Sequence, residues 1–106
     1  SFTLTYLLPP IEIEVWRDRG LFSVFITSPE NSMLHSLNNV AAYMKRAEKF
    51  DAADNPMELS KPFVFIKENF SIIVETLSMV DSDQALNQVG PYRSRLKGSQ
   101  KAYQSN

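Results

Sequence analysis

The chain has a single histidine, His35, and no cysteine, so the chemistry open to it is narrow. Without thiols there is no thiolate nucleophile, disulfide framework, zinc-ribbon site or iron–sulfur cluster. One imidazole cannot build a histidine-based metal site without carboxylate help, and no H-x-x-x-H or H-E-x-x-H spacing occurs. A serine–histidine nucleophilic pair needs a specially placed serine, and no G-x-S-x-G elbow is present. His35 therefore reads as a surface or helix-packing residue rather than a general base. Glu12 and Glu14 stand two apart, so on a strand they share a face, where they could share a proton or hold a divalent cation. A solvated face beside Arg17 or Arg19 is the simpler reading. The run Asp51-Ala-Ala-Asp-Asn-Pro56 groups oxygen ligands but lacks the spacing of a calcium loop, and it reads as a helix stop. With glycine only at 20, 90 and 98, no glycine-rich phosphate cradle or dinucleotide fingerprint can form. These residues predict no catalytic site, no metal, no cofactor and no small-molecule substrate.

Nucleic acid is a stronger candidate. From residue 84 onward the chain has no acid, and its last segment interleaves Tyr92, Arg93, Arg95, Lys97, Lys101 and Tyr103. Cations neutralise phosphates with release of counterions, and tyrosine rings stack on unpaired bases. Four charges are few, however, and a pI of about 5.8 is low for a domain that lives on nucleic acid. The same residues serve a second reading. Residues 51–83 carry a balance of −5 and residues 84–106 a balance of +4, while residues 1–50 are neutral. An acidic middle and a basic end suit an intramolecular clasp, or a tail that docks on a neighbouring subunit.

The elements that must position these groups follow from composition and periodicity. A chain of 106 residues, 43% hydrophobic and with net charge −1, is one folded domain rather than a disordered segment. A domain of this size buries roughly 60–70% of the surface its unfolded chain exposes. No apolar run approaches the ~18–20 residues of a membrane span, and the start, Ser-Phe-Thr-Leu-Thr, lacks the basic region of a signal peptide. The chain reads as soluble, of the cytoplasm or of a particle interior, with no membrane partner.

Thr3–Leu8 is short and β-prone, and Pro9-Pro10 ends it. Ile11–Thr27 alternates with a period of two on either side of Arg17-Asp18-Arg19-Gly20, the pattern of a hairpin. A register that sets Trp16 against Leu21 gathers Ile11, Ile13, Val15, Phe22, Val24 and Ile26 on one face. The other face then carries Glu12, Glu14, Ser23 and Thr27 together with Trp16, Leu21 and Phe25. Ser28-Pro29-Glu30 has the makings of a helix start, and the stripe Met33, Leu37, Val40, Met44, Ala47 predicts a helix over 29–50. Phe63, Ile66, Phe70, Ile73, Leu77 and Val80 predict a second over 61–80, in competition with a hairpin turning at Glu68-Asn69. Ser82 or Asp83 could cap a short helix reaching Val89.

The expected fold is α+β: an N-terminal antiparallel hairpin or three-strand sheet packed against two amphipathic helices, spanning 1–90, with a basic C-terminal arm over 91–106. Two helices over a small sheet leave Trp16, Leu21 and Phe25 without a cover inside the chain, which marks them as a protein interface. The expected function is a non-enzymatic interaction module, a subunit of a homo-oligomer or of a larger capsid- or tail-like assembly such as a virion. In that reading the basic arm lies across the acidic segment of a partner, itself or another protein. An accessory nucleic-acid-binding protein using the arm is the alternative.

Overall fold

Strand signals in the first third of the chain produce most of the sheet. A computed structural model describes residues 2–46, 49–50 and 56–98. It has strands β1 (Phe2–Leu8), β2 (Ile11–Asp18), β3 (Leu21–Thr27) and β4 (Met33–Ser36), then helix α1 (Leu37–Tyr43). A 3-10 turn over Pro56–Leu59 leads into α2 (Ser60–Glu68), α3 (Phe70–Ser78), α4 (Ser82–Val89) and the two-residue strand β5 (Arg95–Leu96). The sheet is antiparallel throughout, in the order β1-β2-β3-β4-β5, so each strand lies beside its neighbours in sequence. The fold is thus α+β, with five strands where a hairpin or three-strand sheet was expected. None of the described helices is long and apolar enough to cross a membrane.

One face of the sheet meets the helices. Ile11, Ile13, Val15, Phe22, Val24 and Ile26 pack there with Leu37, Val40, Phe65, Ile66, Ile73, Leu77 and Leu86. The alternation that predicted this face holds, but the hairpin register differs. Val15 faces Val24 and Ile13 faces Ile26, two residues along from the expected pairs. The cause is the turn. Arg19 and Gly20 both take positive φ, 55° and 83°, which makes a two-residue loop between Asp18 and Leu21 instead of the four-residue one expected. A shift of two leaves every side chain on its expected face, because the strand period is two.

The helix expected over 29–50 is shorter and preceded by a strand. The Ser28–Asn31 segment closes as a turn, with the Asn31 N–H donating to Ser28 O at 3.0 Å. Ser28 Oγ donates to Asn31 Oδ1 at 2.6 Å and so does not cap a helix. Residues Met33–Ser36 then join the sheet, with Ser36 opposite Phe25 and His35 opposite Ile26. The cap moves to Ser36, whose Oγ accepts from Asn38 N–H at 3.2 Å. Leu37 and Val40 of the expected stripe are buried, whereas Met33 lies on β4. Ala47 lies outside the described residues.

The segment 61–80 is helical, as its stripe predicted, but it forms two helices broken at Asn69. The Asn69 side chain donates to Phe65 O at 2.9 Å, beside its own N–H at 3.0 Å. A side chain that competes for a helical carbonyl in this way ends the run. Val80, the last residue of the expected stripe, lies beyond α3 and is fully exposed. Neither Ser82 nor Asp83 caps α4; the cap position is Asp81, with no side-chain bond.

Candidate functional site

His35 lies on β4, on the sheet face that the helices cover, and none of its surface is exposed. It is neither at the surface nor on a helix, as the sequence had suggested. Its Nε2 is 2.8 Å from Asp83 Oδ1 and its Nδ1 is 2.5 Å from Ser94 Oγ. In the neutral ring, an Nε2–H that donates to the carboxylate leaves Nδ1 to accept the serine hydroxyl. Carboxylate, imidazole and hydroxyl in a row is the order of a nucleophilic relay. Here each member also binds a different stretch of chain. Asp83 accepts from the Ser32 N–H at 2.8 Å and from Asn31 Nδ2 at 3.0 Å. The Ser94 N–H donates to Asn87 Oδ1 at 2.7 Å. The arrangement therefore ties the turn before β4, the start of α4 and the C-terminal segment together.

Partial burial pushes the Asp83 carboxyl up, but hydrogen bonds from Ser32, His35 and Asn31, with the electrostatic pull of the imidazole, outweigh it. The net effect holds this group below its ordinary value of 3.8. A carboxyl with a depressed folded-state pKa stabilises the fold above its unfolded value and loses that contribution as pH falls through the folded value. The domain should accordingly lose urea resistance on acidification below about pH 4, the ordinary range of a carboxyl. Asp83→Asn should be weaker at neutral pH and show a shallower acid limb. A variant whose acid limb matches that of the native chain would remove Asp83 from the account.

The basic arm, expected to rest on a neighbour, is tied to its own chain over 92–97. Arg95 pairs with Leu34 and Leu96 with Met33, which makes β5. The Lys97 N–H donates to Ser32 O at 3.1 Å, and Lys97 Nζ donates to Ser28 O at 2.7 Å. Tyr92 is held by its backbone: its carbonyl accepts from Asn39 Nδ2 at 2.5 Å and its N–H reaches Asn39 Oδ1 at 3.4 Å. Arg93 has no acidic partner among the described residues. Lys101 and Tyr103 lie outside them.

The docking of β5 also supplies a cover for the apolar cluster on the open face. Trp16 and Phe25 stack with ring centroids 5.0 Å apart, and the Arg95 guanidinium lies 4.7 Å above the indole and 5.7 Å from the Phe25 ring. The indole N–H donates to Glu14 Oε1 at 2.9 Å. Phe25 is buried, Trp16 is half-buried, and Leu21 sits apart beside the turn, opposite Asp18 and half exposed. The sequence gathers all three on one face, and the fold stacks the rings of Trp16 and Phe25. The expectation that nothing within the chain could cover them does not hold, because it treated the arm as separate.

A further surface escaped the sequence reading. β1 is an edge strand, bonded to β2 on one side and to no strand on the other among the described residues. Its seven residues are uncharged, and Leu4, Tyr6, Leu7 and Leu8 are 44–72% exposed. The signal was present: FTLTYLL has no lysine, proline or glycine to blunt an edge. What the sequence does not give is the strand order that leaves it at the edge. Comparison with protein-family models, with characterised proteins and with solved structures finds no match.

Proposed function

We propose that the chain is a non-enzymatic assembly module that associates with itself by pairing the β1 edges of two copies. The observation that carries this reading is the contrast between the two ends of the sheet. The β5 edge is two residues long and flanked by Arg93 and Lys97, which is how natural sheets discourage pairing. The β1 edge is seven residues long and uncharged, exposes Leu4, Leu7 and Leu8, and has no strand on its outer side among the described residues, which leaves it open to another strand. An edge that pairs with its own copy does so antiparallel about a twofold axis, giving a closed dimer with a continuous ten-stranded sheet. Leu21 and the partly covered Trp16 then form a second surface on the open face, through which dimers join into a homo-oligomer or a larger, capsid- or tail-like assembly.

The test is native mass by light scattering on a sizing column, for the chain and for Thr5→Lys/Leu7→Lys. Thr5 lies opposite Glu14 and Leu7 opposite Glu12, so each new lysine has an acidic cross-strand neighbour within the monomer. Antiparallel pairing of two β1 strands instead brings lysines of both copies together. The native chain should run at a multiple of its own mass and the variant as a folded monomer, with unchanged circular dichroism. A native chain that stays monomeric at every concentration, or a variant that keeps the native mass, refutes pairing through β1.

A further inference from the structure

The gap at the end of β4 is a groove whose walls carry charged, aromatic and hydroxyl groups. β4 stops at Ser36 and faces β3 only at Phe25 and Ile26, so among the described residues the first half of β3 has no strand on that side. The C-terminal segment passes this gap before it becomes β5. The result is a groove of about 430 Å³, within the ~300–1,000 Å³ of small-ligand sites. Its walls combine three kinds of group. Arg93 and Arg95 both line it, and neither has an acidic partner among the described residues. Phe50 and Tyr92 supply flat apolar surface, and Ser23 and Ser36 supply hydroxyls. Phe50 is held in place by the Asn38 amide, which donates to Phe50 O at 3.0 Å and accepts from Phe50 N–H.

We infer that this groove binds a mononucleotide, with its phosphate at Arg93 and Arg95 and its base against Phe50 and Tyr92. Two guanidinium forks match a dianion with several acceptor oxygens better than they match a single carboxylate. A phosphate alone would leave most of the volume unfilled, and the remaining walls are those that suit a ring and sugar hydroxyls. The site lies beyond β3, two strands away from β1, so it stands or falls independently of self-association.

Titration calorimetry of the full chain with inorganic phosphate, adenosine and a panel of nucleoside 5′-monophosphates tests this. At least one monophosphate should bind with single-site stoichiometry, about tenfold or more tighter than phosphate or adenosine alone. Arg93→Gln should weaken it by about tenfold with unchanged circular dichroism, since the Arg93 side chain is exposed and has no ion pair among the described residues. Binding of phosphate as tight as that of every nucleotide would reduce the groove to an anion site and overturn the assignment. So would the absence of binding, or affinity untouched by Arg93→Gln. A single-stranded oligonucleotide that binds more tightly than any mononucleotide, with a steep salt dependence, would replace the assignment with nucleic-acid binding along the arm.

Discussion

His35→Ala should destabilise the domain by about 3 kcal/mol, the sum of a core cavity and a stranded hydroxyl. The imidazole is fully buried, so alanine leaves a void that the rigid sheet backbone on one side cannot close. The Ser94 hydroxyl loses its partner, and Asp83 is left with Ser32 and Asn31. A domain of this kind has only about 5–15 kcal/mol in total, so the loss is large. With a urea slope of about 1–3 kcal/mol per molar, the midpoint should fall by about 1–3 M. His35→Gln, long enough to donate to Asp83, should recover part of the loss. The damage should also be local first: amide exchange at Lys97, whose N–H donates to Ser32, should accelerate more than exchange in β2. An unchanged midpoint, or uniform acceleration, would mean that the network does not hold the C-terminal segment.

Gly90→Ala should be nearly as costly, at about 2–3 kcal/mol, for a steric reason unrelated to φ. A Cβ at Gly90 would fall on the Asn39 side-chain amide and 3.1 Å from its Cα. Asn39 is fully buried, and its amide donates to Leu86 O at 3.0 Å as well as to Tyr92 O. It cannot move aside without abandoning both carbonyls, one at the end of α4 and one at the start of the returning segment. Equilibrium urea unfolding reads the effect directly. Adding Asn39→Ala to Gly90→Ala should cost much less than Asn39→Ala does in the native chain, because the amide has already been displaced. Strict additivity of the two substitutions would show that the clash is relieved elsewhere.

What could be read from the residues was whatever depends on short-range pattern. The period-two alternation of Ile11–Val15 and Phe22–Ile26 assigned each side chain to its face, and that assignment survived a register error of two. The 3, 4, 3, 4 spacing from Phe63 to Leu77 identified helix despite a strand-like composition, because the helices need a continuous apolar stripe to cover the sheet. The break at Asn69 was also visible in outline: the residues marked as a possible hairpin turn are where α2 ends. The two adjacent asparagines in Leu37-Asn-Asn-Val-Ala-Ala are poor helix formers, and both prove to hold distant backbone.

Local pattern was enough for the α+β class, the buried face of the hairpin, the helical nature of 61–80 and the basic character of the last segment. The remaining features emerge only on folding, because they depend on residues far apart in the chain. Ser28-Pro29-Glu30-Asn31 has the composition of a helix start, but Asn31 and Ser32 bond to Ser82 and Asp83, some fifty positions away, and the turn they fix admits a fourth strand. His35 has no local mark of importance, yet it joins Asp83 to Ser94 across three elements. The arm looked too polar to order itself, since composition counts only the surface it can bury alone. Hydrogen bonds to β4, and the stacking of Arg95 on Trp16, supply what composition could not show.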